Sequence, residues 1–208
     1  MSLVQNLVER ALKTQHGFKD LELSANEVFE AHSRADAKAI ALELLASEAR
    51  QGRCVGTFIL GRLAADDSDA LLILKERVSE DPDWRVQEIL AKAFDQYCAD
   101  TGYEAALPVI RDWLASASPN VRRAVTEGLR IWTDRGYFID HPEVAVALMT
   151  PFRADPSEYL RKSVGNALRD ISKTHPDLIR QEVAGWSLDE RAEKQTYKLA
   201  TRIIFPPE

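Results

Sequence analysis

Three prolines constrain this chain more than any other feature. Pro82, Pro119 and Pro156 stand 37 residues apart, each preceded by Asp or Ser. A similar nine-residue stretch follows each: VQEILAKAF at 86–94, VRRAVTEGL at 121–129 and LRKSVGNAL at 160–168. In all three the first, fifth, eighth and ninth positions are apolar or small, the spacing of one helical face. A proline suits the first turn of a helix, where its missing N–H costs nothing, behind an Asp or Ser cap. A period of 37 residues with two helices per period predicts a HEAT-like helical repeat.

The remainder reads as helix after helix, with no stretch of strand-like alternation. Helices are expected over 3–14, 22–32, 34–50, 53–65, 67–79, 83–98, 103–115, 119–133, 142–151, 157–174, 176–184 and 188–203, with turns such as DTGY (100–103) and RGYFIDHP (135–142) between them. The expected fold is all-α: a single HEAT-like repeat array over 1–208, an α-α superhelix whose second helices line a concave groove. Trp113, Trp132 and Trp186 fall at helical spacing and are expected in the core.

The longest apolar runs, such as AIALELLA (39–46), are too short to span a bilayer. The amino-terminal stretch MSLVQNLVERALKTQ has charges within its apolar pattern and no secretory signal, so the expected location is cytoplasmic. Cys54 and Cys98 are expected to be buried thiols rather than a disulfide or a zinc site. No metal or cofactor is expected: the four histidines lack ligand spacing, and there is no G-x-S-x-G, P-loop or dinucleotide fingerprint. Net charge is −6, yet residues 105–180 hold eleven Lys/Arg against nine Asp/Glu. The field near a binding face matters more than the total, so the acidic sum does not exclude nucleic acid.

The polar positions of the three stretches differ where the apolar ones agree. Their third, seventh and tenth places form an outward stripe: Glu88, Lys92, Asp95; then Arg123, Glu127, Arg130; then Lys162, Asn166, Arg169. Trp84 lies one turn before Glu88 on the same side. A solvated face with i,i+4 pairs such as Arg123–Glu127 is one interpretation. A large aromatic beside a lone carboxylate, with cations on the two neighbouring helices, is the other.

PDWRVQEILAKAF, NVRRAVTEGLRIW and EYLRKSVGNALRDISKTHPDLI resemble the DNA alkylation repair HEAT-repeat family, the AlkD and AlkC group of DNA glycosylases. The resemblance covers residues 80–203, and the amino-terminal third is similar only in helical pattern. It implies a stack of helical repeats that holds duplex DNA and removes N3- and N7-alkylated purines without metal or cofactor. It places Glu88 at the catalytic carboxylate and Trp84 at the aromatic one turn before it. It places Arg123 and Arg169 among the DNA-contacting arginines. Glu127 and Arg130 resemble the AlkC segment Ser-Glu-Gly-Thr-Arg. Asn166 stands where the AlkD type has a second tryptophan, and in this the chain resembles the AlkC type.

The expected function is thus that of a monofunctional glycosylase acting on double-stranded DNA with alkylated bases. Glu88 and Trp84 would carry the chemistry, and Arg123, Glu127, Arg130, Lys162, Asn166, Arg169 and Lys173 would hold the DNA. The protein is expected to be a monomer without a membrane partner. Two alternatives stay open: a non-catalytic DNA-binding paralogue and a HEAT-type scaffold for protein. All the named side chains are expected on one concave surface.

Overall fold

The structure, a computed structural model, describes residues 2–205. Among these residues it contains thirteen α-helices, three short 3-10 turns and no strand. The helices are α1 (Leu3–Leu12), α2 (Lys19–Ala31), α3 (Arg34–Leu45), α4 (Arg50–Leu63), α5 (Ser68–Glu76), α6 (Trp84–Thr101), α7 (Leu107–Leu114), α8 (Pro119–Gly128), α9 (Gly136–Asp140), α10 (Pro142–Met149), α11 (Glu158–Ser172), α12 (Pro176–Val183) and α13 (Arg191–Ala200). The chain forms two compact units, divided between Thr101 and Gly102. Among the described residues no helix is long and apolar enough to cross a membrane.

In the first unit α4 is the central helix, packed against α1, α2, α3, α5 and α6. Its Val55, Ile59 and Leu60 are fully buried. In the second unit α11 has that place, packed against α8, α10, α12 and α13 and buried through Leu160, Val164, Ala167, Leu168 and Ile171. The twelve apolar positions shared by the three repeated stretches are all buried, as are Trp113, Trp132 and Trp186.

Arginines in the first turns of three helices link one repeat to the next. Arg53 donates to the carboxylate of Asp81 (2.6 Å) and to the carbonyls of Ser47 and Glu48. Arg122 donates to Asp155 (3.0 Å) and to the carbonyls of Ser116 and Ala117. Arg161 repeats the pattern with Gln195 and the carbonyls of Asp155 and Pro156. A guanidinium in the first turn therefore ties down its own entry loop and reaches the next repeat. The Asp before the proline is the acceptor, and it also accepts the N–H two residues on, at Asp83 and Ser157. Thr126 and Ser163, 37 positions apart, share a buried 2.6 Å hydrogen bond.

Two expectations require correction. Of the three spaced prolines only Pro119 opens a helix; Pro82 and Pro156 lie two residues ahead of α6 and α11, and Ser157 caps α11 by accepting the Leu160 N–H. Secondly, the helix expected over 119–133 ends at Gly128, and the expected loop at 135–142 contains α9. Ile131 turns the chain with φ 53 and ψ 59, the one positive φ outside glycine among the described residues. The turn lets Trp132 pack edge-on against Phe138 of α9 at 4.8 Å, both fully buried. That long-range contact overrides the helical periodicity, and Arg130 consequently lies beyond the helix rather than on its stripe.

Candidate nucleic-acid site

The chain around Trp84 is fixed before the helix begins. The Asp83 side chain accepts the Arg85 N–H at 2.9 Å. The buried Gln87 amide donates to the carbonyls of Val78, Ser79 and Asp81. Gln87 occupies the place held by arginine in α4, α8 and α11, and sets the rotation of the first turn of α6. Trp84 and Glu88, at i and i+4, consequently leave the helix on one side. Trp84 is 60% exposed. Glu88 is half-buried, and no hydrogen bond or ion pair to another described residue holds its carboxylate.

Trp84 and Glu88 line a pocket of about 640 Å³ inside the first unit, within the size range of ligand sites. Phe18 and Leu21 of the α2 end and Arg50 and Gln51 of α4 form other walls. Arg85 stands at the rim with its guanidinium 4.5 Å from the Trp84 ring centroid and 3.5 Å from Asp83. Arg50 approaches the same carboxylate at 3.9 Å. Cys54 also borders the pocket, but burial pushes its thiol up to about 12, so it supplies no thiolate nucleophile at neutral pH.

The remaining candidate residues belong to the second unit. Lys162, Asn166 and Arg169 of α11, and Lys173 at its carboxyl-terminal cap, follow one helical face. Their charges are not equivalent. Lys162 is paired with Glu158 at 2.7 Å. Arg169 (3.4 Å) and Lys173 (2.7 Å) turn to Asp170, and Arg130 reaches the same carboxylate from beyond α8 at 3.0 Å. Asp170 is only 3% exposed in its side chain. Burial pushes its pKa up, but hydrogen bonds from Lys173 and Arg130 and the field of Arg169 outweigh this and hold it below the ordinary value. The Arg123–Glu127 pair does not form: Glu127 lies 3.7 Å from Arg130, and Arg123 extends over the exposed ring of Tyr159 at 6.0 Å.

Trp84 and Glu88 therefore stand together, as their spacing implies, and the other candidate cations belong to the second unit. Sequence reasoning misses Asp170, although a carboxylate at the edge of the α11 core, between Arg169 and Lys173, is a readable signal. It also misses Arg50 and Arg85, which enter only through the fold around the pocket. Among the described residues no group of three or more His, Cys, Asp or Glu could hold a metal ion.

The sequence model of a family described as DNA alkylation repair enzyme matches residues 18–199, well beyond the 80–203 segment in which the resemblance is legible by eye. The crystal structure of AlkD2 from Streptococcus mutans is 43% identical, with a TM-score of 0.94 over 96% of both chains. The Pseudomonas fluorescens alkylpurine DNA glycosylase AlkC, solved bound to DNA containing an abasic site analog, shares the fold. It has a TM-score of 0.52 and 21% identity over 97% of this chain and 62% of its own. The uncharacterized protein YhaZ of Bacillus subtilis is 37% identical over 78 residues, so the match spans 22% of that relative's length.

Proposed function

This chain belongs to the DNA alkylation repair enzyme family, and we propose that it binds double-stranded DNA and excises N3- or N7-alkylated purines as a monofunctional glycosylase. The observation that carries this reading is Glu88: a half-buried carboxylate without a protein partner among the described residues, one turn from an exposed tryptophan, on a pocket of about 640 Å³. Other carboxylates without a partner on these helices among the described residues, such as Glu9, Glu22 and Glu43, are exposed to solvent, whereas Glu88 is half-buried at the pocket wall. A free carboxylate at a pocket is available to a ligand.

Such a purine is already cationic. The C1′–N bond breaks with its electron pair passing to the base, which leaves neutral, so no general acid is required. Glu88 faces the positive charge developing on the deoxyribose and orients the water whose oxygen bonds to C1′; the water's proton passes to the carboxylate or to solvent. Trp84 offers a π-face to the cationic base. Arg123, Arg130, Arg169 and Lys173 meet phosphates, which gives affinity with little sequence preference.

One observation favours a second reading, a DNA-binding relative that excises nothing. Arg85 already covers the Trp84 ring with a planar cation. Release of N3-methyladenine and N7-methylguanine from methylated duplex decides between the two. Free base accumulating with enzyme establishes the glycosylase. Duplex binding without release establishes the second reading. Absence of both returns the chain to the class of protein scaffolds.

A further inference from the structure

Ile131 holds a conformation that isoleucine disfavours, and its side chain is only partly covered by the fold. Trp132 is fully buried, Arg130 is tied to Asp170, and the residue between them is left-handed. Glycine adopts that conformation freely and asparagine with little strain, whereas a β-branched residue there is a genuine outlier. Burial accounts for isoleucine only in part, since Ile131 is 42% exposed. α6 and α11, the counterparts of α8, carry their helices on to Thr101 and Ser172, so the feature is particular to this one place. Strain held where the fold gains little from the side chain points to something outside the folded chain.

Its neighbours say what. Arg130 precedes it, and Asp170 gathers Arg130, Arg169 and Lys173 within 3.4 Å. Three cations around the buried Asp170, with Glu127 3.7 Å from Arg130, leave one positive charge in excess, and Arg130 adjoins a branched, partly exposed apolar group. Proteins that enter the minor groove use this combination: cations on the phosphates and an apolar wedge against sugar edges or between base steps. We propose that Ile131 is a DNA-contacting wedge, held out of the helix to meet the groove while Arg130, Arg169 and Lys173 meet the backbone. This rests on the DNA-binding reading above, not on excision.

Ile131→Gly tests it, with Ile131→Asn as a second left-handed-compatible side chain. Thermal melting and duplex binding across a salt series are the measurements. Both variants are expected to melt about 2–4 °C higher, the shift of a modest strain relief in a chain of this size. Both should bind duplex about tenfold more weakly, with the slope of log affinity against log salt unchanged, because no phosphate contact is lost. Arg130→Ala, in contrast, should flatten that slope by about 1. Variants that bind as tightly as wild type overturn the wedge. Variants that melt lower show that the side chain serves the fold, and overturn it equally. A wild type that binds no duplex ends the DNA-binding reading itself and the wedge with it. Binding that persists in the wild type but is untouched at Ile131 ends the wedge alone.

Discussion

Glu88 and Asp170 are both carboxylates on long helices, and their surroundings give them opposite work. Glu88 has no partner among the described residues; Asp170 has three cations. Glu88→Gln keeps size and hydrogen-bonding atoms but removes the charge. Base release is expected to fall by about 10²-fold or more, the scale of one preorganised electrostatic group. Duplex affinity should hold and stability should change by less than about 0.5 kcal/mol; release at the wild-type rate would make Glu88 an ordinary surface residue. Asp170→Asn should instead cost about 1–3 kcal/mol of stability at neutral pH, through lost charge-assisted hydrogen bonds. The sign with pH follows from the direction of its shift. The folded carboxyl lies below its ordinary value, so its contribution is complete above the unfolded pKa, near 4, and disappears as pH falls through the folded value. Urea unfolding should show a constant gap between wild type and variant from pH 5 to 8, narrowing in more acid solution. A gap that widened there would contradict the assignment of Asp170 as the anchor.

At the scale of helices, apolar spacing marked twelve of the thirteen elements because nearly every helix has one side on the core of its own unit. What it could not mark depends on residues distant in sequence. The end of α8 and the whole of α9 follow from Trp132 meeting Phe138, a contact without helical period. The prolines were legible, but their partners were not: Arg53 finds Asp81 only after the intervening helices pack. The Trp84–Glu88 pair was legible as a helical i,i+4 relation, whereas Arg50 reaches their pocket from another helix. Close approach of helices is equally invisible beforehand. A Cβ on Gly61 would meet the Ala93 Cβ at 2.7 Å and its Cα at 2.8 Å, where α4 crosses α6. Gly61→Ala must therefore push α6 away and should lower stability by about 1–3 kcal/mol. Gly185→Ala, with nothing within 4 Å of the added carbon, should change stability by less than about 0.5 kcal/mol. Equal effects at the two positions would show that α4 and α6 do not approach as described.

Across the whole molecule, charge is divided unevenly between two units of nearly equal length. Residues 102–208 carry fifteen Lys/Arg and fifteen Asp/Glu, whereas residues 1–101 carry twelve and eighteen, so the entire net −6 belongs to the first unit. Anionic DNA is therefore expected to be held by local clusters of the second unit against an unfavourable overall field. Lys162 is neutralised by Glu158, and the three cations at Asp170 share one carboxylate. With Arg123 added, and with Glu127 3.7 Å from Arg130 counted beside Asp170, about two phosphates can be neutralised, which predicts a slope of log affinity against log salt of about −2. Raising monovalent salt from ~50 to ~200 mM should then weaken duplex binding by roughly 10–20-fold. A slope near zero would remove DNA as the ligand, since no other contact substitutes for counterion release in binding that lacks base readout. A slope steeper than about −5 would require cations outside this set, and Arg50 and Arg85 are the nearest to Glu88. In that case Arg85 leaves the Trp84 ring for a phosphate on binding, which uncovers the tryptophan for the cationic base. Arg85→Ala should then flatten the slope by about 1.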